Sequence, residues 1–353
     1  MREFGSEHPA ILLPDGYIDT FNQYGKCTWL RSGREALHLV ALNLNPIKQK
    51  PVVLMPAYCC HSMVDPFEKA GCKVVYYRLN RDLTADMDYL IQVLAIEKPK
   101  AILTMNFYGV ASTKETIACV KSKMPTCKVI EDFSHCTFSL IDIINPQVDY
   151  YVSSIRKSVG VCDGSVIISR EPLDESYIEE GDTEFVISRL NCQKLKAEYT
   201  YSQCGKQKKV FFPELCRQES QLDAFVGVHR ISNMGKEMLS MINGGMIRYA
   251  RQQNMKHILD LLNNKVESVP GIENCLNGAP FSLPILVKNR DEVQQKLAKR
   301  GVYAPVLWPI CDETRAICPV SARMADEMLS ISIDQRYNYD DIEEITKIVL
   351  ETI

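Results

Sequence analysis

Residues 51–80 read PVVLMPAYCCHSMVDPFEKAGCKVVYYRLN, and their pattern is the clearest indication of the fold class. Its apolar runs at 52–55 and 73–77 are typical of buried strands, and the segment 62–70 between them has the apolar spacing of a helix. The alternation continues with a helix near 86–96, a strand at 101–105, a helix near 114–123 and a strand at 128–130. Repeated strand–helix–strand units predict an α/β fold whose mostly parallel sheet is covered by helices on both faces.

The flanking sequence extends this core in both directions. An amphipathic helix is predicted at 31–43, and two further strands are predicted at 150–153 and 165–169. An acidic segment at 171–184 and a basic cluster at 206–209 follow, and we expect this part of the chain to leave the sheet and cross the surface.

The C-terminal part of the sequence has a different order of predicted helices and strands. A long helical region is predicted at 221–264. Beyond it we predict a strand at 281–287, a helix at 291–300, a turn-rich stretch at 303–309, a strand at 329–333 and a helix at 340–352. The change indicates a large domain with an N-terminal arm over 1–240 and a smaller α+β domain over 241–353.

Composition narrows the functional classes. The 353 residues are 46% apolar and 24% charged, which is ordinary for a globular protein and excludes a disordered or fibrous chain. A net charge of −3 gives no general electrostatic reason to bind nucleic acid or an anionic membrane. Because no uncharged apolar run approaches the roughly 18 residues of a membrane span and the first residues lack the apolar region of a signal peptide, we expect a cytoplasmic protein.

The cysteines do not predict a disulfide scaffold or a metal site. There are 14 in a long chain, without a C-x-x-C pair, so they are expected to be reduced thiols. The run Cys59-Cys60-His61 is too tight for three side chains to reach one ion, and the histidines lack zinc-ligand spacing. No metal is predicted.

Polar residues follow two of the predicted strands, where parallel sheets bind their ligands. Asp132 ends one strand, and Lys157 follows the next strand 25 residues later. Both side chains could therefore reach one crevice. Two other interpretations stay open at this point: Asp132 as the cap of a helix beginning near Phe133, and Lys157 as an ordinary exposed lysine.

A possible anion site opens the first helix. The sequence contains neither a G-x-G-x-x-G nor a P-loop motif, so dinucleotide binding is not supported. Ser32-Gly33 instead precedes a helix, where free backbone N–H groups favour an anion and glycine permits close approach. Ser32 is equally interpretable as a simple N-cap.

Six motifs in order carry a resemblance to a known family. They are Ser32-Gly33-Arg34-Glu35-Ala36-Leu37, Met55-Pro56-Ala57-Tyr58, Asn106-Phe107-Tyr108-Gly109, Glu131-Asp132-Phe133-Ser134-His135, Ser154-Ile155-Arg156-Lys157 with Asp163-Gly164, and Leu329 to Tyr337. From about Gly25 to the C-terminus, the chain resembles the DegT-type sugar aminotransferases, which are pyridoxal-phosphate enzymes of fold type I.

The resemblance implies a site for pyridoxal 5'-phosphate. Lys157 would be the amine that attacks the cofactor aldehyde, and Asp132 would face the pyridine nitrogen. The cofactor phosphate would rest on Ser32, Gly33, Arg34 and Ser154, and the ring would lie near Tyr58 and His135. His135 stands where the family commonly has glutamine, and Cys60 where it often has a large aromatic residue that stacks on the ring. His135 is alternatively a core histidine.

The resemblance and position also suggest substrate residues. Tyr108, Tyr303, Trp308 and Arg336 are the candidates. Tyr58 and Tyr108 are alternatively packing aromatics, and Arg336 is alternatively one half of a surface ion pair.

The predicted activity is transamination. An amino acid, glutamate by resemblance, would donate its amino group to a keto group, most readily that of a nucleotide-linked deoxysugar in polysaccharide or secondary-metabolite biosynthesis. A homodimer is expected, with 171–209 contributing to the neighbouring site. Two alternatives remain: a decarboxylase or lyase on the same fold, and a non-catalytic binding protein. A sugar dehydratase is disfavoured because that branch replaces the lysine with histidine.

Overall fold

The computed structural model describes residue 4 and residues 16–45, 49–202, 208–224 and 227–353. The strands of the main sheet, in chain order, are β1 (Lys26–Leu30), β2 (Val52–Pro56), β3 (Lys73–Tyr77), β4 (Ala101–Met105), β5 (Lys128–Asp132), β6 (Tyr150–Ser154) and β7 (Ser165–Ser169). A second sheet contains β8 (Glu267–Ser268), β9 (Leu283–Leu286) and β10 (Met328–Ile331).

The main sheet has the strand order β1-β7-β6-β5-β4-β2-β3 within the described residues. Every neighbouring pair from β6 to β3 is parallel, whereas β7 runs antiparallel to both β6 and β1. The predicted mostly parallel sheet is therefore confirmed. The strands β4, β5, β6 and β7 are buried along nearly their whole length, as expected when helices cover both faces.

Helices surround this sheet and build the rest of the chain. In the described residues they are α1 (Gly33–Leu44), α2 (His61–Lys69), α3 (Met87–Glu97), α4 (Lys114–Lys123), α5 (Leu140–Ile143), α6 (Thr183–Ser202), α7 (Lys208–Ala224), α8 (Asn233–Ser240), α9 (Gly244–Leu262), α10 (Arg290–Lys299), α11 (Asp312–Ile317), α12 (Pro319–Glu327) and α13 (Tyr339–Thr352). No helix of the described part is long and apolar enough to cross a membrane.

Helix α1 is stabilised both by its N-cap residue and by an apolar face that packs on the sheet. The Ser32 hydroxyl accepts a hydrogen bond of 3.3 Å from the Glu35 N–H, which satisfies one of the free donors of the first turn. Ala36, Val40 and Ala41 are fully buried, and the helix packs on β6 and β7. This packing directs the N-terminus of α1 at the carboxyl end of β6.

The second sheet and the last helices form a separate cluster of elements. The sheet has the order β10-β9-β8 and is antiparallel. Helix α9 packs against α13, and the Asn254 side chain donates to the carbonyl oxygens of Ile333, Asp334 and Tyr337. This sheet lies wholly within residues 241–353, while a domain boundary at residue 240 stays a prediction.

The segment between β7 and α9 differs in part from the prediction. As predicted, no described residue between 171 and 209 joins a sheet, but the chain there forms α6, which packs against α7. The predicted long helical region at 221–264 is divided into the end of α7 and two capped helices, α8 and α9. Ser232 and Asn243 accept hydrogen bonds from the first turns of α8 and α9 and so separate them. The pair was missed because its apolar residues form only a small core of their own, around Cys192, Phe211 and Leu215.

Candidate functional site

A cavity of about 260 Å³ lies at the carboxyl ends of β5 and β6, beside the N-terminus of α1. Of the residues singled out from the sequence, six line it: Ser32, Gly33, Arg34, Asp132, Ser154 and Lys157. A crevice at this edge is where an open α/β sheet binds its ligand.

Lys157 and Asp132 reach the cavity because β5 and β6 are parallel neighbours. Asp132 is the last residue of β5 and lies beside Val152 of β6. Lys157 ends the short helical turn that directly follows β6. No helix begins at Phe133; the Asp132 carboxylate instead accepts a hydrogen bond of 2.8 Å from the Ser134 N–H and orders the turn after the strand.

One end of the cavity is suited to an anion. Gly33 opens α1 against the end of β6, and a Cβ atom added to it would lie only 2.7 Å from the Ser154 Cβ. The absence of a side chain therefore lets the positive end of the helix meet the strand closely. Ser32 acts as the N-cap, since its hydroxyl donates to the Glu35 carboxylate at 2.8 Å and accepts from the Glu35 N–H.

Three further charged residues of the described chain line the cavity and were not singled out from the sequence as site residues. They are Arg156, Arg189 and Glu219. Arg156 Nη2 and Arg189 Nη1 donate to the same Glu219 oxygen, Oε1, at 2.7 and 3.1 Å. Arg156 could have been found from its position beside Lys157, whereas Arg189 and Glu219 lie on α6 and α7, which the sequence did not predict.

These arginines set the charge of the Glu219 carboxylate. Burial acts to raise its pKa, but the charges of Arg156, Arg189 and Arg34 outweigh burial and hold the pKa below the ordinary value for glutamate. Glu219 is therefore an anion at neutral pH. Arg34 itself is paired with Asp223, one helical turn after Glu219 on α7.

The walls between these groups are partly apolar. Leu37, Met63 and Leu222 line the cavity together with Ser62 and Ser134. The cavity thus combines an anion-binding end, an amine, a carboxylate and apolar walls. Such a set can hold a small aromatic anion and place an amine beside it.

No protein-family model and no curated protein matches this chain. Solved structures do match. The Helicobacter pylori protein PseC, described as an aminotransferase involved in the biosynthesis of pseudoaminic acid, has a TM-score of 0.71 with 14% identity over 99% of both chains. The chain has the fold of the DegT-type aminotransferases.

Two further solved structures agree with this assignment. A DegT DnrJ EryC1 StrS aminotransferase from Brucella abortus has a TM-score of 0.65 with 14% identity, over 96% of this chain and 91% of that one. The putative sugar aminotransferase Spr1654 from Streptococcus pneumoniae, in its PLP form, has a TM-score of 0.66 with 12% identity, over 99% of this chain and 100% of that one. At these identities the likeness concerns the fold.

Within this DegT-type fold, His135 lies in an aromatic cluster beside the cavity. Its ring stacks on Phe281 with a centroid distance of 4.3 Å, and Trp308 lies 5.4 Å away. Burial, with a smaller contribution from the Lys157 charge, holds the pKa of His135 well below its ordinary value, so the imidazole is neutral. The Tyr108 N–H donates to Nδ1 at 3.4 Å, which leaves the proton on Nε2.

Tyr58 and Tyr108 belong to the same cluster. Their hydroxyl oxygens lie 3.4 Å apart, and the Tyr108 hydroxyl donates to the Leu307 carbonyl at 3.1 Å. The Tyr58 ring lies 5.5 Å from Trp308. Both tyrosines are fully buried and contact other aromatic side chains, as expected for packing residues. Tyr58, Tyr108, His135 and Trp308 are not among the described residues that line the cavity.

The other two substrate candidates have internal partners. The backbone of Tyr303 donates to the Phe4 carbonyl at 2.8 Å. Arg336 donates through Nε and Nη2 to the two oxygens of the Asp334 carboxylate, each at 2.7 Å. Of the two interpretations of Arg336, the structure contains the ion pair, although with a buried carboxylate.

Proposed function

We propose that this protein is a pyridoxal-phosphate-dependent aminotransferase that moves an amino group from an amino acid to a keto group of a small sugar-like molecule. One observation carries the proposal: Lys157 and Asp132 line the same cavity as the anion-binding end at Gly33 and Ser154. The DegT-type fold supports it independently.

The residues present fit the cofactor. Pyridoxal phosphate has a phosphate, a basic ring nitrogen and an aldehyde, and the cavity offers a partner for each of them. Because Gly33 has no Cβ, the N-terminus of α1 can lie close to Ser154, so that both can contact one phosphate. When bound, the cofactor supplies an electrophilic carbon for amines and a ring that withdraws electrons from them.

Each protein group has a defined task in this proposal. The N–H groups of Gly33 and Arg34, with the Ser154 hydroxyl, would bind the phosphate. Asp132 would hold a proton on the ring nitrogen. Lys157 would hold the cofactor through its amine, and its Nζ, once free, would accept the proton that the donor Cα loses. The apolar side chains of Leu37, Met63 and Leu222 exclude water from this proton transfer.

The finer assignments are proposals at the same site. We assign glutamate as the amino donor and a nucleotide-linked deoxysugar as the acceptor. A sugar as the acceptor class is supported by the similar structure described as a putative sugar aminotransferase. Tyr58 and His135 would approach the ring, and Tyr108, Tyr303, Trp308 and Arg336 the substrate. A cytoplasmic homodimer in polysaccharide or secondary-metabolite biosynthesis completes the proposal. The segment at 171–209 supplies Arg189 to the cavity of its own chain, and its contribution to the neighbouring site is part of the proposal.

Reduction with borohydride tests the first step. The wild-type protein loaded with pyridoxal phosphate, reduced and digested, should carry one pyridoxyl group, on the peptide that contains Lys157. Lys157→Ala should lose the label, and Lys114→Ala, which removes an exposed lysine, should retain it. A label on another lysine would end the assignment.

Incubation with glutamate tests the second step. The cofactor absorbance should shift to that of the pyridoxamine form, with 2-oxoglutarate released in equal amount. Release of carbon dioxide or ammonia without the shift would instead support a decarboxylase or lyase. Cofactor binding without any reaction with amino donors would support a binding protein.

A further inference from the structure

We propose that Glu219 is a built-in counter-anion, which occupies the arginine cluster of the anion-binding end until the phosphate of the cofactor displaces it. The arginine cluster consists of Arg34, Arg156 and Arg189. This inference rests on the proposed function, because it assigns that phosphate to this end of the cavity.

The Glu219 carboxylate is held by the arginine cluster. Its Oε1 accepts from both Arg156 and Arg189, and the charge of Arg34 acts on it as well. Arg34 follows Gly33 in the first turn of α1, and Glu219 lines the same cavity as these two residues. A phosphate would use these same groups.

The partners of these ion pairs differ in exposure. The side chain of Arg189 is 3% exposed and that of Arg156 is 11% exposed, whereas that of Glu219 is 48% exposed. Buried guanidinium groups need an anion beside them. The half-exposed carboxylate can regain its hydration by turning to water, provided that another anion takes its place beside the arginines. Glu219 is thus the partner of the arginine cluster that a second anion can replace.

Basic side chains outnumber carboxylates around the cavity. Among the described residues that line it, Arg34, Arg156, Lys157 and Arg189 are basic, whereas Asp132 and Glu219 are acidic. A phosphate dianion placed beside Glu219 would be repelled by it, while the same dianion in place of Glu219 satisfies the arginines. The Glu219 carboxylate therefore stabilises the arginine cluster when no phosphate is bound, and it weakens the binding of phosphate.

Helix α7 presents a second carboxylate to the same cluster. Asp223 follows Glu219 by four residues, so both lie on one face of α7, and Asp223 pairs with Arg34. Asp223 is the more exposed of the two, and its ion pair is with a single arginine. We therefore expect Asp223 to repel a bound anion less strongly than Glu219 does.

The test measures binding of inorganic phosphate and of pyridoxal phosphate to protein freed of cofactor. We expect Glu219→Gln to bind both roughly tenfold more tightly than the wild type, since it keeps the shape of the side chain and loses the charge. Asp223→Asn should give a smaller gain, of about twofold to threefold. Glu214→Gln is the matched control: it removes one carboxylate of α7 that pairs with Arg217 outside the cavity, and its affinities should equal those of the wild type.

The outcomes separate this inference from the proposed function. Equal or weaker phosphate binding by Glu219→Gln overturns the counter-anion, whatever Lys157 binds. If the Glu219 variant folds only when phosphate is present, the rescue supports it, because the arginines then need an anion from solution. Tighter phosphate binding without a pyridoxyl group on Lys157 would keep the anion site and reject the cofactor.

Discussion

Arg251 Nη2 donates a hydrogen bond of 3.2 Å to the carbonyl oxygen of Ser158, the residue that follows Lys157. The same carbonyl accepts from Gln335 Nε2 at 2.9 Å, and Arg251 Nη1 donates to the carbonyls of Pro280 and Phe281. Burial lowers the pKa of Arg251 to about 10, so it is charged at neutral pH. Arg251 Nε also donates to Gln335 Oε1 at 2.9 Å. One buried guanidinium on α9 thus connects the lysine-bearing turn to the chain at 280–281 and to Gln335.

Replacing Arg251 should loosen that turn. In Arg251→Met the three carbonyl oxygens lose a donor, and we expect the free energy of unfolding to fall by about 2 kcal/mol or more. The rate at which cofactor attaches to Lys157 should fall too, whereas the affinity for inorganic phosphate should stay within about twofold. Urea denaturation and a stopped-flow absorbance trace measure these effects.

The control for Arg251 lies on the same helix. Arg248 pairs with Asp142 and is more exposed, so Arg248→Met should cost about 1 kcal/mol or less and leave the attachment rate unchanged. Equal losses in the two variants would mean that Arg251 has no special role in positioning the lysine.

Gly33→Ala should separate the N-terminus of α1 from Ser154 at the anion-binding end. The added Cβ would lie 2.7 Å from the Ser154 Cβ, so α1 must move away from β6. We expect phosphate to bind about tenfold more weakly and the free energy of unfolding to fall by about 1–3 kcal/mol. Calorimetric titration and urea denaturation are the measurements.

A compensating change tests the cause of the Gly33 effect. Ser154→Gly removes the atom that the new Cβ meets. The double variant should therefore recover most of the stability that Gly33→Ala loses. No recovery would place the strain elsewhere.

Asp132→Asn should separate binding from chemistry. The asparagine side-chain oxygen can still accept from the Ser134 N–H, so the turn after β5 stays in place. Without a carboxylate on the ring nitrogen, the cofactor should still attach to Lys157, but the single-turnover rate with glutamate should fall roughly 100-fold or more. An unchanged rate would remove Asp132 from the proposed mechanism.

Glu131 should make stability depend on pH. Burial, with a smaller contribution from Asp132, raises its pKa from 4.5 to about 7, although the hydrogen bond from Thr113 opposes the shift. Oε2 has no partner within the described residues. Between pH 4.5 and 7 the folded state holds a proton that the unfolded state has released, so stability falls as pH rises through this window and stays lower above it.

Glu131→Gln should remove this part of the pH dependence. The wild type should lose about 2–3 kcal/mol of unfolding free energy between pH 5 and pH 8, and the variant clearly less. Urea denaturation at four pH values measures both curves. A variant curve parallel to that of the wild type would assign the dependence to other groups.

Much of the main sheet and part of the site followed from sequence. The apolar runs that became β2 to β7 were recognisable because strands buried on both faces are continuous apolar segments. Asp132 and Lys157 could be placed together because they follow neighbouring strands, and parallel strands end at one edge of a sheet. Strand β1 was missed, since this short segment at the edge of the sheet mixes exposed and buried positions.

The α/β architecture, and an amine and a carboxylate at one edge of the sheet, could be predicted from sequence because both depend on local periodicity and on strand direction. The ion pair of Arg336 could be predicted as well, since its partner Asp334 lies two residues away. The structure was needed to show that Arg189 and Glu219 line this site and that His135 lies against Phe281. These contacts depend on packing between segments that are distant along the chain, which the local pattern of residues does not specify.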